Sequence, residues 1–194
     1  MQTRLKIAVV EHDRERAHQV VDALREAGNH EIAVLGDATG LSRKLRALDP
    51  DVVLIDVANP SRDTLEELAL ASSPLERPVA MFVDRTDDHL TAQAIEAGMS
   101  AYVVNGLQSD RIKPILDAAI ARFNVVSRMR RELETTKAAL AERKTVDRAK
   151  GILMAARGIG EEEAYALLRR TAMDQGRKIG DVATAIVTAA DLLK

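Results

Sequence analysis

The sequence predicts an α/β fold with a five-stranded, doubly wound parallel sheet of the flavodoxin-like kind, followed by a long coiled-coil helix and a small domain of three helices. Short apolar runs rich in β-branched residues alternate with amphipathic runs of helical spacing from residue 5 to about residue 122. Such alternation is typical of helices wound around a parallel sheet. We therefore expect three parts: residues 1–122, a linker helix over 123–138, and a helical domain over 139–194.

Five apolar runs define the strands. The expected strands are 5–10, 31–35, 51–56, 79–83 and 101–104. The expected helices of this part are 14–27, 38–48, 63–72, 91–97 and a long helix that starts near Ser109. Gly28 and Gly98 follow two of these helices, where glycine commonly ends a helix. The continuous apolar character of the strands indicates that both faces of the sheet are buried.

The composition excludes several classes of function. The chain has no cysteine, which excludes disulfides, thiolate metal sites and cysteine nucleophiles. Aromatic residues make up 2%, which argues against an RNA site built on stacking platforms. No run approaches the roughly 18 apolar residues of a membrane span, and the N-terminus has no apolar signal core, so we expect a cytoplasmic protein. A Gly-rich phosphate loop and a nucleophile–base pair are both absent, and we expect no enzymatic activity.

The net charge of −2 hides an uneven distribution. Residues 122–194 contain 15 Lys/Arg and 10 Asp/Glu, whereas residues 1–121 contain 13 Lys/Arg and 20 Asp/Glu. Because clustered cations attract phosphate groups, the positive C-terminal segment favours a polyanion as partner. The alternative is that exposed helical surfaces simply carry more arginine.

In doubly wound sheets the functional residues lie at the carboxyl ends of the strands. Here those ends carry Glu11, His12 and Asp13, then Asp56, then Val83 and Asp84, then Asn105. Residues 5–122 resemble the receiver domain of response regulators, with Asp56 at the phospho-acceptor position and Glu11 and Asp13 in the acidic pocket. The resemblance implies a hydroxyl residue where Val83 stands and a lysine where Asn105 stands. The sequence therefore departs from the family at both switch positions.

These departures predict that phosphorylation of Asp56 is not the normal switch. A phosphoryl group there would receive no hydrogen bond from Val83 and no positive charge from Asn105. Glu11, Asp13 and Asp56 still offer oxygen ligands for weak Mg²⁺ binding, and no other cofactor is expected. We then expect the input to be a partner protein that docks on this part of the chain. A regulator switched by phosphorylation stays open as the alternative.

A heptad pattern follows the receiver-like part. Its seam consists of Val126, Met129, Leu133, Thr136 and Leu140, at spacings of three and four residues with charged residues on the flanks. This pattern predicts a coiled-coil homodimer. The alternative is an amphipathic helix that packs on its own domain.

Two long motifs mark the C-terminal segment: RKTVDRAKGILM at 143–154 and EEEAYALLRRTAMD at 161–174. They resemble the ANTAR domain, and the whole layout resembles the response-regulator antiterminators of the AmiR/NasR type. This resemblance implies a dimer that binds two stem-loops of a leader RNA and promotes transcription antitermination. Segments 80–85, 100–106 and 113–124 are most similar to the nitrate and nitrite regulators of this family. That similarity implies a cytosolic nitrate-sensing protein as a sequestering partner.

The expected RNA-binding surface combines cations with small residues. We expect phosphate contacts from Lys144, Arg148, Lys150, Arg169 and Arg170, with Arg177 and Lys178 at the margin. Ala149 and Gly151 are expected to allow close approach of RNA, and Asp147 and Thr171 to hydrogen-bond bases. The alternatives are that Ala149 packs in the core and that Asp147 forms a salt bridge with Lys144 or Arg143. We expect Tyr165 in the core, with its hydroxyl at the edge.

A DNA-binding response regulator is the rival hypothesis, because a basic tail of three helices after a receiver fits a helix-turn-helix domain in outline. The basic residues, however, lie mainly on the first helix of the tail and not on a recognition helix after a tight turn.

Overall fold

Five parallel strands form one sheet in the order β2-β1-β3-β4-β5. They are β1 Lys6–Val10, β2 Glu31–Leu35, β3 Val52–Val57, β4 Val79–Val83 and β5 Ala101–Val104. The computed structural model describes residues 4–36, 40–106 and 109–192. The strand order is that of a flavodoxin-like sheet, which confirms the predicted fold class.

Seven helices occur among the described residues. They are α1 Arg14–Ala27, α2 Leu41–Leu48, α3 Arg62–Ser72, α4 Asp88–Glu96, α5 Ser109–Arg157, α6 Glu161–Asp174 and α7 Ile179–Leu192. The predicted helical residues 38–39 and 193 lie outside the described residues. Helix α4 begins earlier than predicted because the carboxylate of Asp87 accepts a hydrogen bond from the Leu90 N–H at 2.7 Å and caps the helix there.

Helices cover both faces of the sheet. The central strands β1, β3 and β4 are buried almost throughout. One face packs against α2 and α3, whose Leu41, Leu45 and Leu65 belong to its core. The other face packs against α1 and the start of α5, through Leu24 and Ile112 among others. Cover on both sides explains why the strands are continuous apolar runs, and it leaves their carboxyl ends side by side at one edge.

The chain divides into two compact units, residues 1–128 (the N-terminal unit) and 129–194 (the C-terminal unit). Helix α5 contains a long stretch, residues 128–144, in which every residue is exposed. A helix without tertiary packing over such a length is marginal in water. No described helix combines the length and apolar character that crossing a bilayer requires.

A small core joins the end of α5 to α6 and α7 in the C-terminal unit. Its buried members are Ala149, Leu168, Ala172, Val182 and Ala183. Alanine at three of these positions lets the helices approach closely. Gly158, with a φ of 66°, supplies the left-handed residue after α5, and three glutamates in the first turn of α6 are favourable with the helix dipole.

Candidate nucleic-acid interface and acidic cluster

At the carboxyl ends of β1, β3 and β4, the guanidinium of Arg16 lies among three carboxylates. Its Nη2 donates to Asp56 Oδ1 at 2.7 Å, and its Nε donates to Asp56 Oδ2 at 3.2 Å. Nη1 and Nη2 donate to the two carboxylate oxygens of Asp84 at 2.9 and 3.1 Å. Glu11 Oε2 lies 3.4 Å from Arg16 Nε. We refer to Glu11, Arg16, Asp56 and Asp84 as the Arg16 cluster.

Asp13 lies outside the Arg16 cluster, contrary to the expected acidic pocket, and Asp84 takes its place. The Oδ1 atom of Asp13 accepts hydrogen bonds from the backbone N–H groups of Glu15 and Arg16 at 2.8 and 3.0 Å. It therefore caps α1 and satisfies donors that the helix leaves free. Glu11 Oε1 accepts the Asp13 N–H at 2.7 Å, which holds the start of this turn.

Burial and charge distinguish the carboxylates of the cluster. Asp56 and Glu11 are 3% and 6% exposed, whereas the Asp84 side chain is 42% exposed. Hydrogen bonds from Arg16 lower the pKa of Asp84, and burial raises the pKa of Glu11. Hydrogen bonds to Asp84, and then to Asp56, raise the pKa of Arg16. The cluster therefore contains a permanent cation.

The two switch positions provide no ligand for a phosphoryl group. Val83 is fully buried in β4 and presents only apolar atoms. Asn105 is exposed and adopts a left-handed φ of 75° in the turn after β5, followed by Gly106 at 68°. Its role in the structure is that of a turn residue, which asparagine tolerates better than most.

A receiver-type site implies Mg²⁺, which requires oxygen ligands at about 2.0–2.1 Å in octahedral geometry. Here the guanidinium of Arg16 covers both oxygens of Asp56. Within the described ranges no group of three or more His, Cys, Asp or Glu side chains is arranged to hold a metal ion. The residues in this arrangement do not fit Mg²⁺, in contrast to the weak site expected at Glu11, Asp13 and Asp56.

The cations near the end of α5 have different environments. Lys144 is exposed and has no ion-pair partner in the part of the chain that the structure describes. Arg148 Nη2 donates to Asp191 Oδ1 at 2.5 Å and so joins α5 to α7. Lys144 is therefore available to a phosphate, whereas Arg148 would first have to leave a carboxylate.

Lys150 is held more tightly. Its Nζ lies 2.7 Å from Asp147 Oδ1 on the same helix and 2.7 Å from Glu161 Oε1 in the first turn of α6. The Lys150 side chain is 15% exposed. Its hydrogen bond lowers the pKa of Asp147, and its bonds to Asp147 and then Glu161 raise the pKa of Lys150. Asp147 thus pairs with a cation, although with a different one from the two considered in the sequence.

Ala149 and Gly151 lie on opposite sides of α5. Ala149 has no exposed surface and belongs to the core of the C-terminal unit, so the expected approach of RNA at Ala149 is wrong for this folded state. Gly151 is exposed, and a Cβ atom built on it meets no atom within 4 Å. Glycine inside an exposed helix costs roughly 0.5–1 kcal/mol relative to alanine. The described chain gives no packing reason for Gly151, and its bare backbone is open to an outside partner.

Helix α6 presents a second set of cations. Arg169 and Arg170 are exposed, and neither has an ion-pair partner among the residues described. Thr171 is half-buried, and its hydroxyl donates to the Leu167 carbonyl at 2.9 Å within the helix. The arginines are therefore free to contact phosphates, whereas the Thr171 hydroxyl already has an acceptor.

Tyr165 is 46% exposed, and the prediction that it lies in the core is wrong. Ala164, Leu168 and Ala172 form the buried line of α6, and Tyr165 lies beside that line. Tyr165 therefore stands on the surface, one helical turn before Arg169.

The turn between α6 and α7 carries the last two predicted residues. Arg177 donates to Gln175 Oε1 and to the Asp181 carbonyl, both at 3.4 Å. Lys178 is exposed, and its carbonyl accepts the backbone N–H of Asp181 at 3.1 Å at the start of α7. The Lys178 ammonium has no ion-pair partner among the described residues, whereas Arg177 makes two long hydrogen bonds within the turn.

The predicted dimer seam is uncovered in the single chain. The exposed fractions are 47% for Val126, 61% for Met129, 53% for Leu133 and 54% for Leu140. Thr136 is also exposed, and its hydroxyl donates to the Glu132 carbonyl at 2.8 Å. The seam residues therefore lack apolar contacts that a second helix would supply.

Sequence reasoning missed three residues of these sites, Arg16, Glu161 and Asp191, and it placed Asp84 at a strand end without assigning it a role. Arg16 lies in the first turn after β1, and Asp84 directly follows β4, so both positions point to the carboxyl edge once the sheet order is known. Asp191 is 43 residues from its partner Arg148 and carries no local signal.

Comparison with known proteins gives matches to both parts of the chain. Residues 134–187 match the family model of the ANTAR domain. The chain is 26% identical over 182 residues to the transcriptional regulatory protein PdtaR of Mycobacterium tuberculosis, covering 94% of this chain and 89% of that protein. It is 33% identical over 76 residues to the nitrate regulatory protein of Klebsiella oxytoca, covering 39% of this chain and 19% of that protein.

Solved structures agree on the fold of the N-terminal part. A response regulator from Thermotoga maritima gives a TM-score of 0.53 at 19% identity, covering 61% of this chain and 99% of that one. The signal receiver domain of a modulated diguanylate cyclase from Desulfovibrio desulfuricans gives a TM-score of 0.54 at 18% identity, covering 63% of this chain and 98% of that one. The protein thus consists of a receiver-like N-terminal domain followed along the chain by an ANTAR domain.

Proposed function

We propose that this protein is an RNA-binding regulator of transcription antitermination that acts as a homodimer on a leader RNA with two stem-loops. In this proposal residues 139–194 bind RNA, 123–138 pair the two chains, and 1–122 receive the signal. The observation that carries it is the ANTAR domain with cations that have no ion-pair partner in the described chain: Lys144, Arg169, Arg170 and Lys178. They stand on the same unit as the bare backbone of Gly151.

The chemistry of the surface suits RNA loops. Exposed lysine and arginine side chains neutralise phosphates, and they release counterions, so binding is salt-dependent. Bases in a loop are unstacked and displayed outward, where an exposed ring such as Tyr165 offers a stacking face. Binding to two stem-loops stabilises the antiterminator hairpin over a competing terminator.

The proposed occupant of the α5 seam is a second copy of this chain. Residues 128–144 have no cover of their own, and the seam carries Met129, Leu133 and Leu140 at heptad spacing. A dimer presents two ANTAR domains to two stem-loops on one strand. The first contact raises the effective concentration of the second, which increases affinity by about a hundredfold or more.

We further propose regulation by nitrate. Segments 80–85, 100–106 and 113–124 resemble NasT-type regulators of nitrate and nitrite assimilation, and one relative is named a nitrate regulatory protein. The proposed partner is a NasS-like cytosolic nitrate-binding protein that sequesters this chain and releases it with nitrate. Co-purification with that partner, with and without nitrate, tests this step. Absence of association, or association that nitrate does not change, contradicts it.

The RNA proposal is tested by gel shift with the leader RNA of the operon next to this protein's gene. The arms are the two-hairpin RNA, either hairpin alone and duplex DNA of the same sequence. We expect tight binding only to the two-hairpin RNA. The variant Lys144→Ala/Arg169→Ala should weaken it, whereas the matched variant Lys113→Ala/Arg25→Ala, with two exposed cations of the N-terminal unit, should not. Preference for duplex DNA would favour a DNA-binding regulator instead.

A further inference from the structure

We propose that Arg16 is the resident cation of the receiver-like site, so that the N-terminal unit is held by an internal ion cluster where a receiver would take a divalent ion. The proposal concerns the N-terminal unit and is independent of RNA binding. It rests on the contacts of one side chain with three carboxylates that come from three neighbouring strand ends.

The Arg16 guanidinium is bound by the carboxylates in the way that a separate cation would be. Arg16 makes two hydrogen bonds to Asp56 and two to Asp84, between 2.7 and 3.2 Å. The planar guanidinium offers five donors in a rigid fork, and a paired arrangement with carboxylates is among the strongest hydrogen-bonding patterns in proteins. No other described cation is within ion-pair distance of Asp56.

The position of Arg16 is itself fixed. Its backbone N–H donates to the capping carboxylate of Asp13 at 3.0 Å, and α1 packs on the sheet through the buried Ala17 and Val20. The Cα of Arg16 therefore cannot move away from the strand ends without loss of a helix cap. A fixed backbone and four hydrogen bonds keep the guanidinium in place.

The charges explain why a cation is needed. Asp56 is 3% exposed and Glu11 is 6% exposed, and Glu11 Oε2 has no hydrogen-bond partner among the described residues. Buried carboxylates without a neutralising charge are costly. If Arg16 were removed, the three carboxylates would have to recruit another cation or take up protons.

The consequence for signalling is that this site does not cycle between occupied and empty states. The guanidinium is covalently part of the chain and joins β1, β3 and β4 through the carboxylates at their ends. A regulatory signal must then act on the N-terminal unit through a partner that contacts its surface.

The test is Mn²⁺ binding by the full-length protein, measured from the electron paramagnetic resonance signal of free Mn²⁺, since Mn²⁺ prefers the same oxygen ligands as Mg²⁺. The variant Arg16→Ser should bind one Mn²⁺ at least about tenfold more tightly than the wild type. Adding Asp56→Asn should abolish the gain. Arg14→Ser, which removes an exposed arginine two residues earlier on α1, should behave like the wild type.

Two results overturn the proposal. One is wild-type protein that binds Mn²⁺ as tightly as Arg16→Ser, because the guanidinium would then yield to a metal. The other is a folded Arg16→Ser variant that gains no binding. If that variant does not fold, nitrogen-15 spectra of the wild type decide: the Arg16 Nε–H should exchange slowly and stay unchanged in about 10 mM Mg²⁺. Fast exchange, or a shift with Mg²⁺, overturns it.

Discussion

Lys150 on α5 and Glu161 in the first turn of α6 form an ion pair with 2.7 Å between Nζ and Oε1. Lys150 was expected to bind phosphate, yet in the folded chain it joins two helices. Its second partner, Asp147, lies at 2.7 Å on the other side. An RNA phosphate at Lys150 would therefore have to compete with Glu161 for the same ammonium group.

This competition predicts opposite effects of Glu161→Gln on stability and on affinity. Loss of the ion pair should lower the unfolding temperature of the C-terminal unit, and release of Lys150 should increase RNA affinity. Circular dichroism melting and fluorescence anisotropy with labelled RNA measure the two effects. Glu162→Gln removes the same charge from an exposed neighbouring position. If both variants behave alike, the ion pair has no specific role.

The burial of Ala149 predicts that this residue supports the fold and not the RNA contact. Ala149→Leu should destabilise the C-terminal unit by about 1–3 kcal/mol, because the core has no space for the larger side chain. Ala155→Leu, on the exposed side of the same helix, is the matched control and should change stability little. Chemical denaturation measures both. Equal stability of the two variants would contradict the close packing around Ala149.

Arg169 and Arg170 are predicted to contact phosphates directly. Replacement of either by alanine should weaken RNA binding and reduce the salt slope of log K by about one phosphate. The measurement is a series of anisotropy titrations over a range of salt concentrations. Arg25→Ala on α1 removes an exposed, ion-paired arginine and should leave the slope unchanged. An unchanged salt slope for both α6 variants would mean that the RNA phosphates contact other residues.

The seam of α5 is predicted to pair two chains. Met129→Glu/Leu133→Glu should convert a dimer to a monomer, because a buried seam does not accept adjacent carboxylates. The affinity of this double variant for the two-hairpin RNA should fall to its affinity for a single hairpin. Ala138→Glu lies on the outer side of the same heptad and is the control. Sedimentation velocity that shows wild type and double variant in the same state would count against the seam.

The Arg16 cluster predicts a pH effect in the acid range. The pKa of Asp84 is lowered by hydrogen bonds from Arg16, so ionised Asp84 stabilises the folded state above its unfolded pKa. That stabilisation is lost as the pH falls through the lowered folded pKa. The ionisation of Glu11 contributes to stability with the opposite sign. Burial raises the pKa of Glu11, so its ionised form destabilises the folded state.

Carbon-13 titration of the Asp84 carboxyl group should therefore show a midpoint below that of an unperturbed aspartate. In Arg16→Ser the midpoint should move up toward the ordinary range, whereas Arg14→Ser should leave it unchanged. A midpoint that is the same in all three proteins would mean that Arg16 does not hold the carboxylate in solution.

The fold was largely predictable because its signals are local. The five apolar runs and the glycines after helices each depend on residues near one another in sequence, whereas the strand order is seen in the structure. The position of Asp56 at a strand end follows from the same pattern.

The site residues that sequence reasoning missed depend on contacts across the fold. Three arginines lie on α1, and only tertiary structure distinguishes Arg16, whose partner Asp84 is 68 residues away. Tyr165 was assigned to the core because it is aromatic, whereas the alanine line of α6 leaves it outside. Asp13 was grouped with the acidic pocket because of its type, whereas its position makes it a helix cap.

The exposed run 128–144 also has a consequence for how the amount of protein in the cell is sensed. If two chains pair along this run as proposed, the ordering of the helix and the pairing of the chains are coupled in one equilibrium. By mass action, we expect this run to unfold locally when the protein is dilute and to form a paired helix when the protein is concentrated. The activity of the protein should then rise with the square of its own concentration at low expression, which makes abundance itself a control input.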